Sequence, residues 1–285
     1  MKLVRLLAAL LIVFLVAAPS SASTILGTSA NTLPQGEFMV DFWFMYRDFG
    51  RSYDGNLYGD GSGGWIDLPS DTKITATSFV PRVYYGVTDW ITMRAGVAFE
   101  DRYLDLAENG GESVNTGLGD LVLDPKIQIY RGEGSQPRVA LLAGVRLPTG
   151  DADGSPALSD GSTDFCLGGC VTQPIGELSG HAMIIYWLNG ENRDGVDVKD
   201  LWIASASLED PVSENWTLHW EFTAYFGEQP SDYYRMYACP GLSWCGDRVT
   251  VGVSNLISVA SEGGGGISWV DFDWAPYVRF YYRFF

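Results

Sequence analysis

Between Gly117 and Asp151 apolar and polar side chains alternate with a period of two. Leu121, Leu123, Pro125, Ile127 and Ile129 fall on one face, with Asp120, Asp124, Lys126 and Gln128 on the other. After a polar turn over residues 131–136, Val139, Leu141, Ala143, Val145 and Leu147 oppose Arg138 and Arg146. Successive side chains of a strand point to opposite sides, so this is strand and not helix periodicity. Each strand runs to about 12 residues, beyond the ~5–6 of a globular strand and close to the ~9–11 that cross a bilayer at a tilt. The pattern predicts one hairpin of a transmembrane barrel, oily outside and charged inside.

The same rhythm runs through the chain. Strands are expected over residues 36–47, 73–85, 90–102, 163–172, 180–188, 199–209, 216–228, 233–242 and 248–259, with a last one inside 267–285. The first carries Phe38, Val40, Phe42, Phe44 and Tyr46 on one face. The strand from Trp216 sets Leu218, Trp220, Phe222, Ala224 and Phe226 against Thr217, His219, Glu221, Thr223 and Tyr225. Long polar stretches at 48–71, 105–116, 149–161 and 260–266 alternate with short turns at 86–89, 131–136, 174–178, 210–215 and 243–247. In outer-membrane barrels the short turns are periplasmic and the longer loops extracellular. Leaving 229–247 as one loop would give an odd strand count, against the even number of single-chain bacterial barrels; a strand at 233–242 restores it. The expected fold is an all-β, antiparallel transmembrane β-barrel of about twelve strands.

The ends agree with an exported barrel. Lys2 and Arg5 precede an apolar run from Leu6 to Ala18, and Ser20, Ser21 and Ala22 offer a small-residue cleavage site, so residues 1–22 read as a cleaved signal peptide. The run is shorter than the ~20 residues of a spanning helix. Residues 23–35, polar and containing Pro34, read as a periplasmic lead-in, and 36–285 as the barrel. At the other end Val278, Phe280, Tyr282 and Phe284 share a face and Phe285 follows. That ending resembles outer-membrane proteins generally, whose terminal aromatic strand is read by the barrel-assembly machinery, with the Tyr-x-Phe signal here at Tyr282 and Phe284, one residue early. The resemblance implies a Gram-negative outer membrane, with its lipid and lipopolysaccharide as surroundings.

Composition narrows the function. The 285 residues hold 34 Gly, 15 Tyr, 14 Phe and 10 Trp, which suits strands and aromatic girdles. Only 18 Lys and Arg face 35 Asp and Glu. So acidic a chain lacks the phosphate-neutralising charge of a nucleic-acid binder, and it suits anionic lipid surfaces no better. The four cysteines allow a bridge within Cys166-Leu-Gly-Gly-Cys170 if that stretch loops, and one between Cys239 and Cys245 across a turn; they are too dispersed for a zinc site. The stretch from Asp151 to Ser155 begins like a calcium loop but lacks the glutamate at the twelfth position. No metal or cofactor is expected.

Inward-facing candidates for a lumen are Arg94, Glu100, Asp120, Asp124, Lys126, Arg138, Arg146, His219, Glu221 and Arg279, with Arg283 beside them. Charges of both signs can line a hydrated pore or pair across it and close it. Arg94 with Glu100, and Lys126 with Asp124, are candidate structural pairs. His181, two residues from Ser179, and His219, two from Glu221, keep a hydrolase open as an alternative. A closed structural or surface-interaction barrel is another.

The motif Gly117-Leu118-Gly119-Asp120, the following Lys126 and the hairpin tip Leu147-Pro148-Thr149-Gly150-Asp151 resemble the family described as Putative MetA-pathway of phenol degradation. The likeness runs from about Leu33 to the C-terminus. It implies an outer-membrane channel or transporter for passive uptake of small hydrophobic or aromatic solutes.

Overall fold

A computed structural model describes residues 27–53, 65–106, 111–195, 198, 200–227, 233–262, 270–272 and 274–284. The expected signal peptide, Phe285, residue 199 as a strand start, and parts of the loops at 48–71, 105–116 and 260–266 lie outside the described residues.

The strands are β1 (Phe38–Tyr53), β2 (Trp65–Asp67), β3 (Lys73–Thr88), β4 (Ile91–Leu106), β5 (Gly111–Arg131), β6 (Arg138–Leu147), β7 (Asp164–Ile175), β8 (Leu178–Leu188), β9 (Leu201–Pro211), β10 (Trp216–Gly227), β11 (Tyr233–Cys245), β12 (Val249–Glu262), β13 (Val270–Phe272) and β14 (Trp274–Phe284). β2 and β13 are short additions beside the far end of β1. The other twelve pair antiparallel with their neighbours, and β1 pairs with both β3 and β14, which closes the ring. The expected twelve-stranded barrel is the observed one, and the described residues include no helix. Closure is a necessity in lipid, where an open edge would leave backbone N–H and C=O groups without partners.

The strands differ from expectation mainly in length. The polar stretch at 105–116 is largely strand, because β4 and β5 continue as a paired hairpin past the apolar band, with Leu106 opposite Gly111. Polar composition hides a strand that has water on both sides. A β-bulge lies where Val97 pairs with Leu121 but Phe99 with Leu118, so two residues of β5, Gly119 and Asp120, oppose one of β4. Beyond it the parity flips: Leu118 faces outward and Gly117 inward.

The burial pattern inverts that of a water-soluble protein. Phe79, Met93, Ile129, Leu141, Leu167, Ile184, Trp220, Phe222, Val253 and Val278 are exposed on the outer face, while Asp41, Gln128, Asp164, Thr172, His219, Glu221 and Arg279 are buried inside. Both faces stitch the closing seam. Outside, Phe42 stacks on Phe79 at 5.9 Å between ring centroids and lies 6.2 Å from Phe280. Inside, Asp41 is fully buried and accepts from Arg279 Nε (3.1 Å to Oδ1) and Nη2 (2.9 Å to Oδ2) on β14, and from the Tyr84 hydroxyl (3.0 Å) on β3. Arg82 Nε, also on β3, is 3.7 Å from the same carboxylate.

Removing one partner of a buried ion pair costs about 3–5 kcal/mol, because the other charge is left uncompensated. Asp41→Ala therefore opens the seam at a markedly lower urea concentration in micelles than Phe222→Leu, a conservative change on the lipid face. The heat-modifiable electrophoretic shift of the folded barrel reads both; equal midpoints would refute the seam's dependence on Asp41.

Candidate functional site

The lumen is occupied from both ends. At the end that carries the short turns, residues 27–36 turn inward from the start of β1 and cross the interior as a strap. Gly36 N donates to Gly86 O (2.8 Å), Gln35 N to Asp89 Oδ1 (2.9 Å), Leu33 N to Thr92 Oγ1 (2.8 Å), Ala30 N to Thr172 Oγ1 (2.8 Å) and Gly27 N to Glu221 Oε1 (2.6 Å). Those acceptors lie on or beside β3, β4, β7 and β10, so the strap spans the ring. Arg138 Nη1 donates to Asn31 Oδ1 (2.8 Å), and Lys126 Nζ to Ser29 O (3.0 Å). Entry demands a glycine: a Cβ on Gly86 would sit 1.9 Å from Pro34 O. The stretch expected as a periplasmic lead-in thus lies, over its described part, within the barrel mouth.

At the other end the loop 148–163 folds in, with Leu158 buried against Gly117 and Arg102 donating to Ala157 O. Its anchor joins the two sequence motifs. Thr149 Oγ1 donates to Gly119 O (3.1 Å) and accepts from Leu121 N (2.9 Å), while Asp120 Oδ1 accepts from Gly150 N (3.1 Å). A Cβ on Gly150 would lie 3.0 Å from Gly119 Cα, so the two backbones approach this closely because residue 150 is a glycine. Asp120 therefore holds the loop. Asp151 caps its own turn, accepting from Asp153 N (3.0 Å) and Gly154 N (3.1 Å), and no metal-ligating cluster occurs among the described residues.

The remaining candidates form local pairs along the wall, in combinations other than those expected. Arg94 bonds Asp124 on the neighbouring strand, with Nε 2.5 Å from Oδ1, and not Glu100. Glu100 accepts from Arg102 Nε at 2.6 Å. Lys126 bonds the strap and not Asp124. Arg146 Nε donates to the fully buried Asp164 (2.5 Å), which also accepts from Ser162 Oγ (2.6 Å) and Gly190 N (2.9 Å). Arg283 Nε stands 3.3 Å from Glu37. Of the expected assembly residues, Phe284 faces outward beside Phe38, at 5.4 Å between rings, and Tyr282 lies edge-on to Phe284 at 4.6 Å.

The expected disulfides are corrected. All four cysteines are free and buried. Cys166 and Cys170 lie in the regular strand β7, where four residues at ~3.3 Å each separate them by ~13 Å. Cys239 and Cys245 both belong to β11, which runs past the turn expected from 243, and six residues place them ~20 Å apart. Neither span fits a bridge.

Both histidines converge on Glu209, which sequence reading did not single out. His181 Nε2 is 3.4 Å from Glu209 Oε2, and His219 Nδ1 3.9 Å from Oε1. His219 Nε2 contacts Ser243 Oγ at 2.8 Å, and His181 Nδ1 contacts Thr172 Oγ1 at 2.9 Å. Glu209, His219 and Ser243 occupy adjacent strands, so only their parity, not their spacing, was visible in the sequence.

A model of the family described as Putative MetA-pathway of phenol degradation matches residues 56–256. The fold is similar to the COG4313 outer membrane channel from Pseudomonas putida F1, with a TM-score of 0.71 at 15% identity over 90% of this chain and 98% of that one. It also resembles the NanC porin (TM-score 0.52, 11% identity, 86% and 100% covered) and the translocator domain of the autotransporter NalP from Neisseria meningitidis (0.51, 12%, 88% and 90%). No curated protein matches the sequence.

Loss of two strap hydrogen bonds costs about 2 kcal/mol, or roughly thirtyfold in opening. In Glu221→Ala/Thr172→Ala the amides of residues 27–36 exchange ten- to thirtyfold faster by hydrogen–deuterium mass spectrometry, while those of β1 do not change. Unchanged exchange would place the strap's anchorage elsewhere.

Proposed function

The chain belongs to the family described as Putative MetA-pathway of phenol degradation, and we propose that it is an outer-membrane channel for passive uptake of small hydrophobic or aromatic molecules. The observation that carries this reading is a closed barrel whose lumen is narrowed by a strap and an inturned loop, lined by polar side chains and by an apolar and aromatic cluster that includes Met45, Tyr237, Leu256 and Tyr277. Barrels of ~8 strands are filled by their own side chains and those of ~16 hold open channels, so twelve suits a narrow passage whose constrictions choose the solute. The most similar fold described above is itself called a channel. An apolar outer belt and an aromatic last strand support insertion by the barrel-assembly machinery among outer-membrane lipid and lipopolysaccharide, after cleavage of residues 1–22.

The cluster of Ser243, His219 and Glu209 has the order of a hydrolase triad but not its working geometry. The 3.9 Å gap to Glu209 is too long for the hydrogen bond that orients a catalytic imidazole, and Ser243 and His219 are both buried in the wall. We assign the cluster to wall packing, with its polar atoms turned to one another.

Planar bilayers test the passage. The refolded protein gives small discrete conductance steps, and a variant lacking residues 27–33 gives steps several times larger. Silence of both in a heat-modifiable, folded barrel would sink the channel reading. Ser243→Ala lowers stability by about 1 kcal/mol, and neither protein hydrolyses p-nitrophenyl esters; ester turnover abolished by Ser243→Ala would restore the enzyme.

A further inference from the structure

Between the strap and the wall formed by β14, β12, β1, β3, β4 and β5 lies a cavity of about 110 Å³. Its lining is unexpected in so acidic a chain: Arg94, Lys126, Arg248, Arg279 and Arg283 all contribute, and no Asp or Glu does. Three of these cations are matched by carboxylates that sit outside the lining, Arg94 by Asp124, Arg279 by Asp41 and Arg283 by Glu37. Lys126 is different. Its ammonium bonds only neutral oxygens of the strap, Ser29 O at 3.0 Å and Thr28 Oγ1 at 3.5 Å, and makes no ion pair among the described residues. A half-buried lysine with no carboxylate in contact favours an anion beside it.

The rest of the lining suits a flat ring. Arg279 lies over the Tyr281 ring at 4.2 Å and Arg94 over Tyr84 at 5.9 Å, so planar guanidinium and phenol faces stand together, with Leu33 and Met39 apolar beside them. A cavity of about 150 Å³ is enough to hold benzene, and this one is somewhat smaller but partly open to the lumen. Arg248 and Arg283 stand at the periplasmic rim, whereas Arg279, Arg94 and Lys126 lie deeper, so positive charge continues inward from the mouth.

We propose that this cavity is a binding site for small aromatic carboxylates, with Lys126 receiving the carboxylate and Tyr84 and Tyr281 flanking the ring. The proposal rests on the channel reading for its role in uptake, but not for binding itself. The strap supplies one wall through Thr28, Ser29 and Leu33, so occupancy of the site and placement of the strap are coupled.

Calorimetric titration of the refolded full chain in micelles at low salt tests it, with benzoate, benzyl alcohol and benzylamine as probes. Benzoate binds at one site and at least tenfold more tightly than either other probe. Lys126→Met weakens it tenfold or more, Lys126→Arg retains it, and the heat-modifiable band confirms that each variant is folded. Equal affinity for benzoate and benzyl alcohol, or an affinity unchanged in Lys126→Met, overturns the proposal. Competition by chloride as strong as that by benzoate overturns the part played by the ring. Conductance separates the two readings: a silent barrel that binds benzoate keeps the site and removes the passage, and a conducting barrel that does not bind it removes the site alone.

Discussion

Backbone groups in hydrocarbon have no water to bond, and every other feature of this molecule follows from that constraint. The sheet has to end where it began, so β1 carries two neighbours and becomes its most demanding element. One carboxylate, Asp41, serves both: Arg279 reaches it from the last strand and Tyr84 and Arg82 from the third. On the opposite face of the same strands Phe42 lies between Phe79 and Phe280. The seam thus combines charge-assisted hydrogen bonds on the wet side with ring contacts on the lipid side, each in the medium where it is strongest.

Closure also dictates what the interior has to contain. Twelve strands enclose more space than their inward side chains fill, and polar inward positions cannot be left without partners. Ion pairs between adjacent strands answer part of this need, as Arg94 with Asp124 and Arg146 with Asp164 show. A strap from one end and a loop from the other answer more. Beside the strap this leaves a small space lined by cations.

Much of the wall was legible in the sequence, because a two-residue alternation fixes inside and outside once one face is oily. The strands at 121–129, 138–147 and 216–227 read directly. Asp41 carried the same signal, a lone acid between Val40 and Phe42, but the aromatic face of that strand drew the reading away from its partner face. The cysteines carried it too: spacings of four and six are even, which puts each pair on one side of one strand and too far apart to join. Cross-strand partners were not legible. Which arginine meets which aspartate depends on register, and a single bulge at Gly119 and Asp120 shifts it and reverses the facing of everything beyond. The hairpin at 105–116 failed for a different reason, since alternation disappears where both faces meet water.

The strap shows a further asymmetry. Gly27, Ala30, Leu33 and Gln35 are gripped by their amides and Ser29 by its carbonyl, whereas the wall answers with particular side chains, Glu221, Thr172, Thr92, Asp89 and Lys126. Main-chain atoms are the same in every residue except proline. Most of the instructions for placing this segment are therefore written in its receptor, and the segment adds only a few of its own through the side chains of Thr28, Asn31 and Thr32. Relatives that keep those few side chains can hold otherwise different N-terminal stretches along the same path, and a comparison confined to those stretches would find only scattered positions in common.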